Sequence, residues 1–316
     1  MANPHQIKRG VSLYSYQDEY YLRKMTFEDC IAASASFGAT GIEILGEQML
    51  PNFPNITDAF VEQWFGWMEK YGTTPTCYDA FLDTKLYKNR ILTEQESVDM
   101  MVRDLRIASR LGFKVMRTLV TTPINVIEKT LPYAEEYNVK MAIEVHAPFS
   151  LKSPWMDGVV ELIQRTGTKY FGVMPDMGIF TRRLMPVAQA WYIRHGATES
   201  IVKFIADAFA ERKDKDETKA EVVRMGGNAV DQQLAQWAFS NSYDDPKWLL
   251  DFIPFMYHIH GKFYEMTEDN TEPSLAYDEV VPLLIEGGYQ GYISSEYEGN
   301  RHMHDAFDVD SREQVR

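Results

Sequence analysis

The chain has 316 residues, with 46 acidic against 32 basic side chains and a formal net charge of -14 when its seven histidines are neutral. Charged residues make up 25% and hydrophobic ones 45%, an ordinary globular composition that excludes a disordered chain and supplies a large core. A pI near 5.0 and the lack of any Lys/Arg stripe argue against nucleic acid or an anionic membrane as partner, since both are held by phosphate neutralisation.

Only Cys30 and Cys77 are present, without CxxC or Cys/His zinc spacing, so two buried reduced thiols are expected rather than a disulfide framework. The opening MANPHQIKRG lacks an apolar signal core and no 18-residue apolar run occurs, which predicts a soluble cytoplasmic protein. Length alone allows two domains or one α/β barrel of about 250 residues plus insertions.

In chain order, GVSLYSY near Gly10 reads as a first strand, and a helix follows over 27–37. A recurrent form then appears, in which a helical stretch ends near Gly and a β-rich run begins within a few residues: SFGATGIEIL, KYGTTPTCYDAF, RLGFKVMRTLV, RTGTKYFGVMPD and EGGYQGYISSEY. Glycine supplies a left-handed helix cap, and the apolar run enters a sheet buried on both faces. NVKMAIEVHAPF and PFMYHIHGKFYEM complete eight strands, with helices over 57–71, 94–111, around 124–137 and over 277–286 between them. Eight right-handed β/α units close into a (β/α)₈ TIM barrel spanning 1–316.

About 77 residues separate Asp176 from Ile253, where one barrel unit needs roughly half that. The segment 183–250 is therefore a helical insertion after the sixth strand, either a lid or a partner-contact segment. Its charge run ERKDKDETKAE reads as a solvated helix face or connection.

Active sites of parallel barrels lie at the carboxyl ends of the strands. Here the fifth run ends in Glu144-Val145-His146, the sixth in Asp176, the seventh in His258-Ile259-His260-Gly261-Lys262 and the eighth in Glu296-Tyr297-Glu298. Strand alternation sends Glu144 with His146, His258 with His260 and Lys262, and Glu296 with Glu298 to common sides. Several carboxylates in one low-dielectric mouth are untenable unpaired, and a divalent cation resolves the conflict. Three carboxylates and an imidazole suit Mn²⁺ first, then Co²⁺, Mg²⁺, Fe²⁺ or Zn²⁺. The spacing leaves open which HIH histidine would bind; His260 lies nearer the strand end. His5, His195, His302 and His304 read as surface or loop residues, the last two close behind the eighth strand.

This combination resembles the xylose-isomerase-like barrel superfamily of sugar isomerases and epimerases, over about residues 10–298. The resemblance implies a single metal on Glu144, Asp176, His260 and Glu296. Two features depart from its epimerases: the sixth-strand Asp is followed by Met177-Gly178-Ile179 rather than a histidine at the third position, and Glu43, the possible counterpart of their second acid/base carboxylate, sits inside GIEIL. EVHAPF, PDMGIF and the long insertion look instead like the larger, catalytic subunit of bacterial C-glycoside deglycosidases, which pairs with a small β-rich subunit in a hetero-oligomer.

A cation at the mouth can polarise a sugar ketone, and a histidine, with an ordinary pKa of about 6.5, is mostly neutral at cytoplasmic pH and able to accept a proton. The deglycosidase resemblance implies that His146 removes the C2 proton of a 3-oxo-C-glycoside and that the aglycone leaves C1 by β-elimination. Lys262 or a nearby tyrosine would protonate the departing carbon. Arg117, His258, Glu298, Tyr14 and Phe180 are candidate substrate contacts, with Tyr16, Phe81, Phe149 and Trp155 as further aromatics. The alternatives are a keto-sugar or inosose isomerase, epimerase or dehydratase, and an inert barrel kept for assembly. The endonuclease branch of the superfamily needs more histidines and a basic face.

Overall fold

A computed structural model of the chain describes residues 7–241, 243–308 and 310–316, so His5 lies outside the described residues. The strands are β1 (Lys8–Ser12), β2 (Gly41–Leu45), β3 (Thr74–Asp79), β4 (Val115–Thr118), β5 (Lys140–Val145), β6 (Phe171–Pro175), β7 (Ile259–Phe263) and β8 (Tyr292–Tyr297). Every ladder between them is parallel, in the order β6-β5-β4-β3-β2-β1-β8-β7. Parallel bridges Val173 to Met256 and Asp176 to His260 join β6 to β7 and complete the cylinder.

The helices on the outside are α1 (Phe27–Ser36), α2 (Asp58–Tyr71), α3 (Glu94–Arg110), α4 (Ile124–Glu136) and α5 (Pro154–Thr166), and later α10 (Tyr277–Glu286). Their starts follow capping chemistry. Thr26 and Thr93 form reciprocal capping boxes with Asp29 and Glu96, and Ser153 with Pro154 opens α5. The five glycines of the recurrent helix-to-strand form all take positive φ, from 60° at Gly167 to 84° at Gly112. That conformation costs glycine nothing and stops each helix one step before its strand.

The main core lies between barrel and helices, with Trp64 fully buried and its indole N–H donating to the Leu111 carbonyl at 3.0 Å. Inside the cylinder, Cys77, Val115, Ala142 and Met174 form a separate small apolar layer beneath the mouth. Cys30 and Cys77 are both buried and unbridged, as expected. Gly172 on β6 is held against the approach to β7: a Cβ there would lie 2.1 Å from the Phe255 carbonyl oxygen. We expect Gly172→Ala to lower the unfolding free energy by about 1–3 kcal/mol through overpacking, read as a lower urea midpoint at unchanged m-value.

Among the described residues, the interval between β6 and β7 contains four helices of more than two turns, α6 (Pro186–Arg194), α7 (Glu199–Ala210), α8 (Lys215–Arg224) and α9 (Ala229–Ala238). They surround a second apolar cluster including Tyr192, Ile201, Ile205, Phe209, Val222 and Leu234, which accounts for the apolar content of this segment. The charge run straddles the Asp214 cap of α8 and is largely exposed. Trp237 packs against both clusters and ties the insertion to the barrel. Arg194 makes the same connection in charge, gripping both Asp305 oxygens at 2.8 and 3.0 Å and the His302 carbonyl at 2.7 Å. No helix among the described residues is long and apolar enough to cross a membrane.

Candidate metal centre and catalytic cavity

At the carboxyl ends of the strands opens a cavity of about 610 Å³, lined by Glu144, His146, Asp176, Lys262, Glu296 and Glu298 from β5 to β8, and by Tyr14, Asp79, Phe81 and Arg117 from the other half of the barrel. The insertion contributes Trp237, Ser240 and Asn241 to its wall.

Parallel pairing sets the donors at one height. Lys262 stands opposite Glu296, and the chain at Asp176 bridges His260. One donor atom each from Glu144, Asp176, His260 and Glu296 falls within 4.8 Å of all the others, and all four residues are buried. His260 Nδ1 lies 2.6 Å from Glu144 Oε1 and 3.5 Å from Glu296 Oε2. Asp176 Oδ1 accepts the Gly178 N–H at 2.5 Å, whereas its Oδ2 faces the Lys262 ammonium at 2.7 Å without hydrogen-bond geometry. Glu296 Oε2 is shielded from solvent and has no hydrogen-bond donor. Burial pushes the Glu296 carboxyl well up despite His260 and Lys262 nearby.

Around this point six carboxylates, Glu43, Asp79, Glu144, Asp176, Glu296 and Glu298, face Arg117, Lys262 and Arg301 together with the imidazoles of His258 and His260. Two shielded carboxylate oxygens without donors, in a negative pocket with an imidazole nitrogen, form a donor set that fits a divalent cation.

Each sequence-predicted residue can now be placed. His146 lines the cavity just past β5, and its Nδ1 is 2.8 Å from the Ala147 carbonyl oxygen. A carbonyl only accepts, so Nδ1 carries a proton, and in the neutral ring the lone pair that a general base needs is then on Nε2. Lys262 lies between Asp176, Glu296 and Glu298 at 2.7, 3.6 and 3.6 Å, and this charge pattern lifts its pKa well above the ordinary lysine value although burial opposes it. Glu298 also meets Arg301 at 3.0 Å. Arg117 lines the cavity, and its Nε lies 3.3 Å from Asp79 Oδ1 and 3.7 Å from Glu144 Oε2. Tyr14 lines the cavity with the Arg301 guanidinium 5.6 Å from its ring.

Other candidates lie away from the cavity wall. Phe180 is fully buried in the main core, just after the turn that follows Asp176, and is absent from the cavity lining. Tyr16 is likewise core, and Phe149 and Trp155 meet at a tilted angle, ring centroids 5.0 Å apart, outside the cavity lining. His258 is buried and absent from the cavity lining, with its Nε2 2.7 Å from Glu43 Oε2 and 2.8 Å from Ser294 Oγ. Among the histidines expected at the surface, His195 and His304 are well exposed, but His302 is half-buried against Trp237.

Burial, with Arg301 and Arg194 adding to it, pushes the His302 imidazole down to about 4. An unfolded histidine titrates at about 6.5, so above that pH the group contributes nothing to pH dependence. As pH falls from there toward 4 the unfolded chain gains a proton that the native chain refuses, and stability is lost. Urea midpoints between pH 7.5 and 4.5 are expected to fall less steeply in His302→Asn than in the wild type.

Asp79 and Glu43 carry roles that sequence reasoning missed or left open. Asp79 closes β3 as Asp176 closes β6, and the same rule of polar residues ending apolar runs would have found it. Burial pushes Asp79 up to about 7 even with Arg117 alongside. Glu43 is wholly buried, lies outside the cavity lining, and has each oxygen engaged by a histidine.

A family model described as "Xylose isomerase-like TIM barrel" matches residues 31–314. The 3'-dehydrocarminate deglycosidase alpha subunit of a Microbacterium species is 30% identical over 310 residues, covering 92% of this chain and 88% of the relative. A C-glycoside deglycosidase alpha subunit of Arthrobacter globiformis is also 30% identical, covering 93% and 85%. In fold, a sugar phosphate isomerase/epimerase from Parabacteroides distasonis superposes with a TM-score of 0.57 at 12% identity, covering 98% of this chain and 91% of that one. By the family match and by these relatives, the chain belongs to the xylose isomerase-like TIM barrel family.

Proposed function

We propose that the chain is the catalytic alpha subunit of a C-glycoside deglycosidase, a carbon–carbon lyase acting on 3-oxo-C-glycosides. The observation that carries this reading is a histidine tied through Nδ1 to the Ala147 carbonyl in the same cavity as a four-residue donor cluster, in a chain 30% identical to two deglycosidase alpha subunits. A divalent ion on Glu144, Asp176, His260 and Glu296, Mn²⁺ by preference, would stabilise the negative charge that develops on the C3 oxygen.

His146 Nε2 takes the C2 proton, which the C3 ketone acidifies. The C2 electron pair then forms the C1–C2 double bond while the C1–aryl bond breaks, and its electrons stay with the aryl carbon. That carbon takes up one proton, with the Lys262 ammonium or the Tyr264 hydroxyl, both on the cavity wall, as donor. One proton leaves and one is delivered, so the step needs neither water nor an oxidant. Arg117, Glu298 and Tyr14 bound the space for the sugar. The helical insertion, through Trp237, closes one side of the mouth as part of a lid. The alpha-subunit names of the relatives support a partner subunit, and we take that partner to be a small β-rich chain in a hetero-oligomer.

Epimerisation by two opposed carboxylates, the main alternative, is disfavoured by Glu43, whose oxygens are both committed to histidines below the cavity. Incubating the chain, with and without the protein that co-purifies from its genomic neighbours, with a 3-oxo-C-glucosyl flavonoid tests the reading. Release of free aglycone is the expected result. Deuterium exchange from solvent, or epimerisation of free keto-sugars, without aglycone release would overturn it.

A further inference from the structure

We infer that Glu43 is a positioning residue that fixes the tautomer and orientation of His260, and that His258 and Ser294 hold Glu43 in place for this purpose. The inference rests on the metal reading of the four-residue cluster and extends it one layer down the barrel.

Glu43 Oε1 lies 2.6 Å from His260 Nε2, and Oε2 lies 2.7 Å from His258 Nε2. A carboxylate only accepts, so each imidazole presents an N–H to it. His260 Nδ1 likewise lies 2.6 Å from Glu144 Oε1, so both ring nitrogens face carboxylates; were Nδ1 to give up its proton to a cation in the donor cluster, Glu43 would hold the remaining proton on Nε2. A second nitrogen bonded to a carboxylate makes a histidine a stronger and better-aligned ligand. Two features stop Glu43 from turning away. His258 occupies its other oxygen, and the same His258 nitrogen is 2.8 Å from Ser294 Oγ. The space is closed as well: Glu43 is wholly buried, and a Cβ at Gly10 would come 2.6 Å from Ser294 Oγ. Glycine in the first strand is thus required by the packing of this network. Among the described residues Glu43 is the only carboxylate shared by two histidines in the hydrogen-bond pattern.

The test compares Co²⁺ binding to the wild type, Glu43→Gln, Glu43→Asp and Ser294→Ala, by affinity and by visible ligand-field absorption. Glutamine keeps the shape but can offer an N–H to His260 Nε2, which would move the proton to Nδ1. We expect Glu43→Gln to weaken Co²⁺ binding about 10–100-fold and to alter the absorption band. Glu43→Asp should recover part of the affinity, and Ser294→Ala should stay within a few-fold of the wild type. If Glu43→Gln does not fold, Glu43→Asp still carries the comparison, since any loss of the His260 contact must weaken Co²⁺ binding. Wild-type affinity and spectrum in the folded variants, with only a lower melting temperature, would overturn the positioning role and leave the metal reading intact. A wild-type chain that binds no Co²⁺ would overturn both.

Discussion

Replacing Glu144 by Gln is expected to lower turnover of a 3-oxo-C-glycoside by about a thousandfold or more, equivalent to ~4 kcal/mol of transition-state stabilisation, and to leave the purified chain short of metal. Glutamine is nearly isosteric, so the cavity keeps its shape. What is lost is a charge that faces His260 Nδ1 at 2.6 Å and Arg117 Nε at 3.7 Å. Arg117 keeps Asp79 at 3.3 Å, so the substitution does not strand a buried cation. Metal content by elemental analysis and initial rates at added Mn²⁺ give the two readouts. Unchanged metal content with unchanged rate would remove Glu144 from the ligand set.

His146→Gln is expected to have a comparable effect on rate by a different route. The ring is tied to the Ala147 carbonyl and is not one of the four clustered donors, so metal content should remain at the wild-type level. A positioned general base contributes about 10²–10⁴-fold, and that factor should disappear from both aglycone release and exchange of the C2 proton with deuterated solvent. Loss of release with retained exchange would instead assign His146 to the departure of the aglycone.

The barrel was legible because each strand boundary carried a local physical signal. Gly38, Gly72, Gly112, Gly167 and Gly288 punctuate five of the eight units, and apolar runs supply the rest. The donor cluster was legible in part for a related reason: alternation and strand-end position sent Glu144, Asp176, Glu296 and one histidine of the HIH run to one mouth, and the family resemblance singled out His260. Depth was not legible. Period-two alternation says that His258, His260 and Lys262 share a face, but it does not say that the first lies beneath the site, the second in it and the third at its rim. Glu43 was hidden by the same ambiguity, since a carboxylate within an apolar strand shows its purpose only when its partners on β7 and β8 are in view. The aromatic residues were not legible for a further reason: Phe180 and Tyr14 look alike in sequence, yet the former lies in the core, just after the turn that follows Asp176. Trp237 reaches the cavity from a helix far along the chain, which no local pattern predicts.

The central claim is that Glu144, Asp176, His260 and Glu296 converge on one divalent cation. Anomalous diffraction at the absorption edge of the metal carried by active protein tests it most directly. The account predicts a single strong peak among those four side chains, with Glu43 behind His260. A peak elsewhere, or active crystals with no peak at that position, would contradict it.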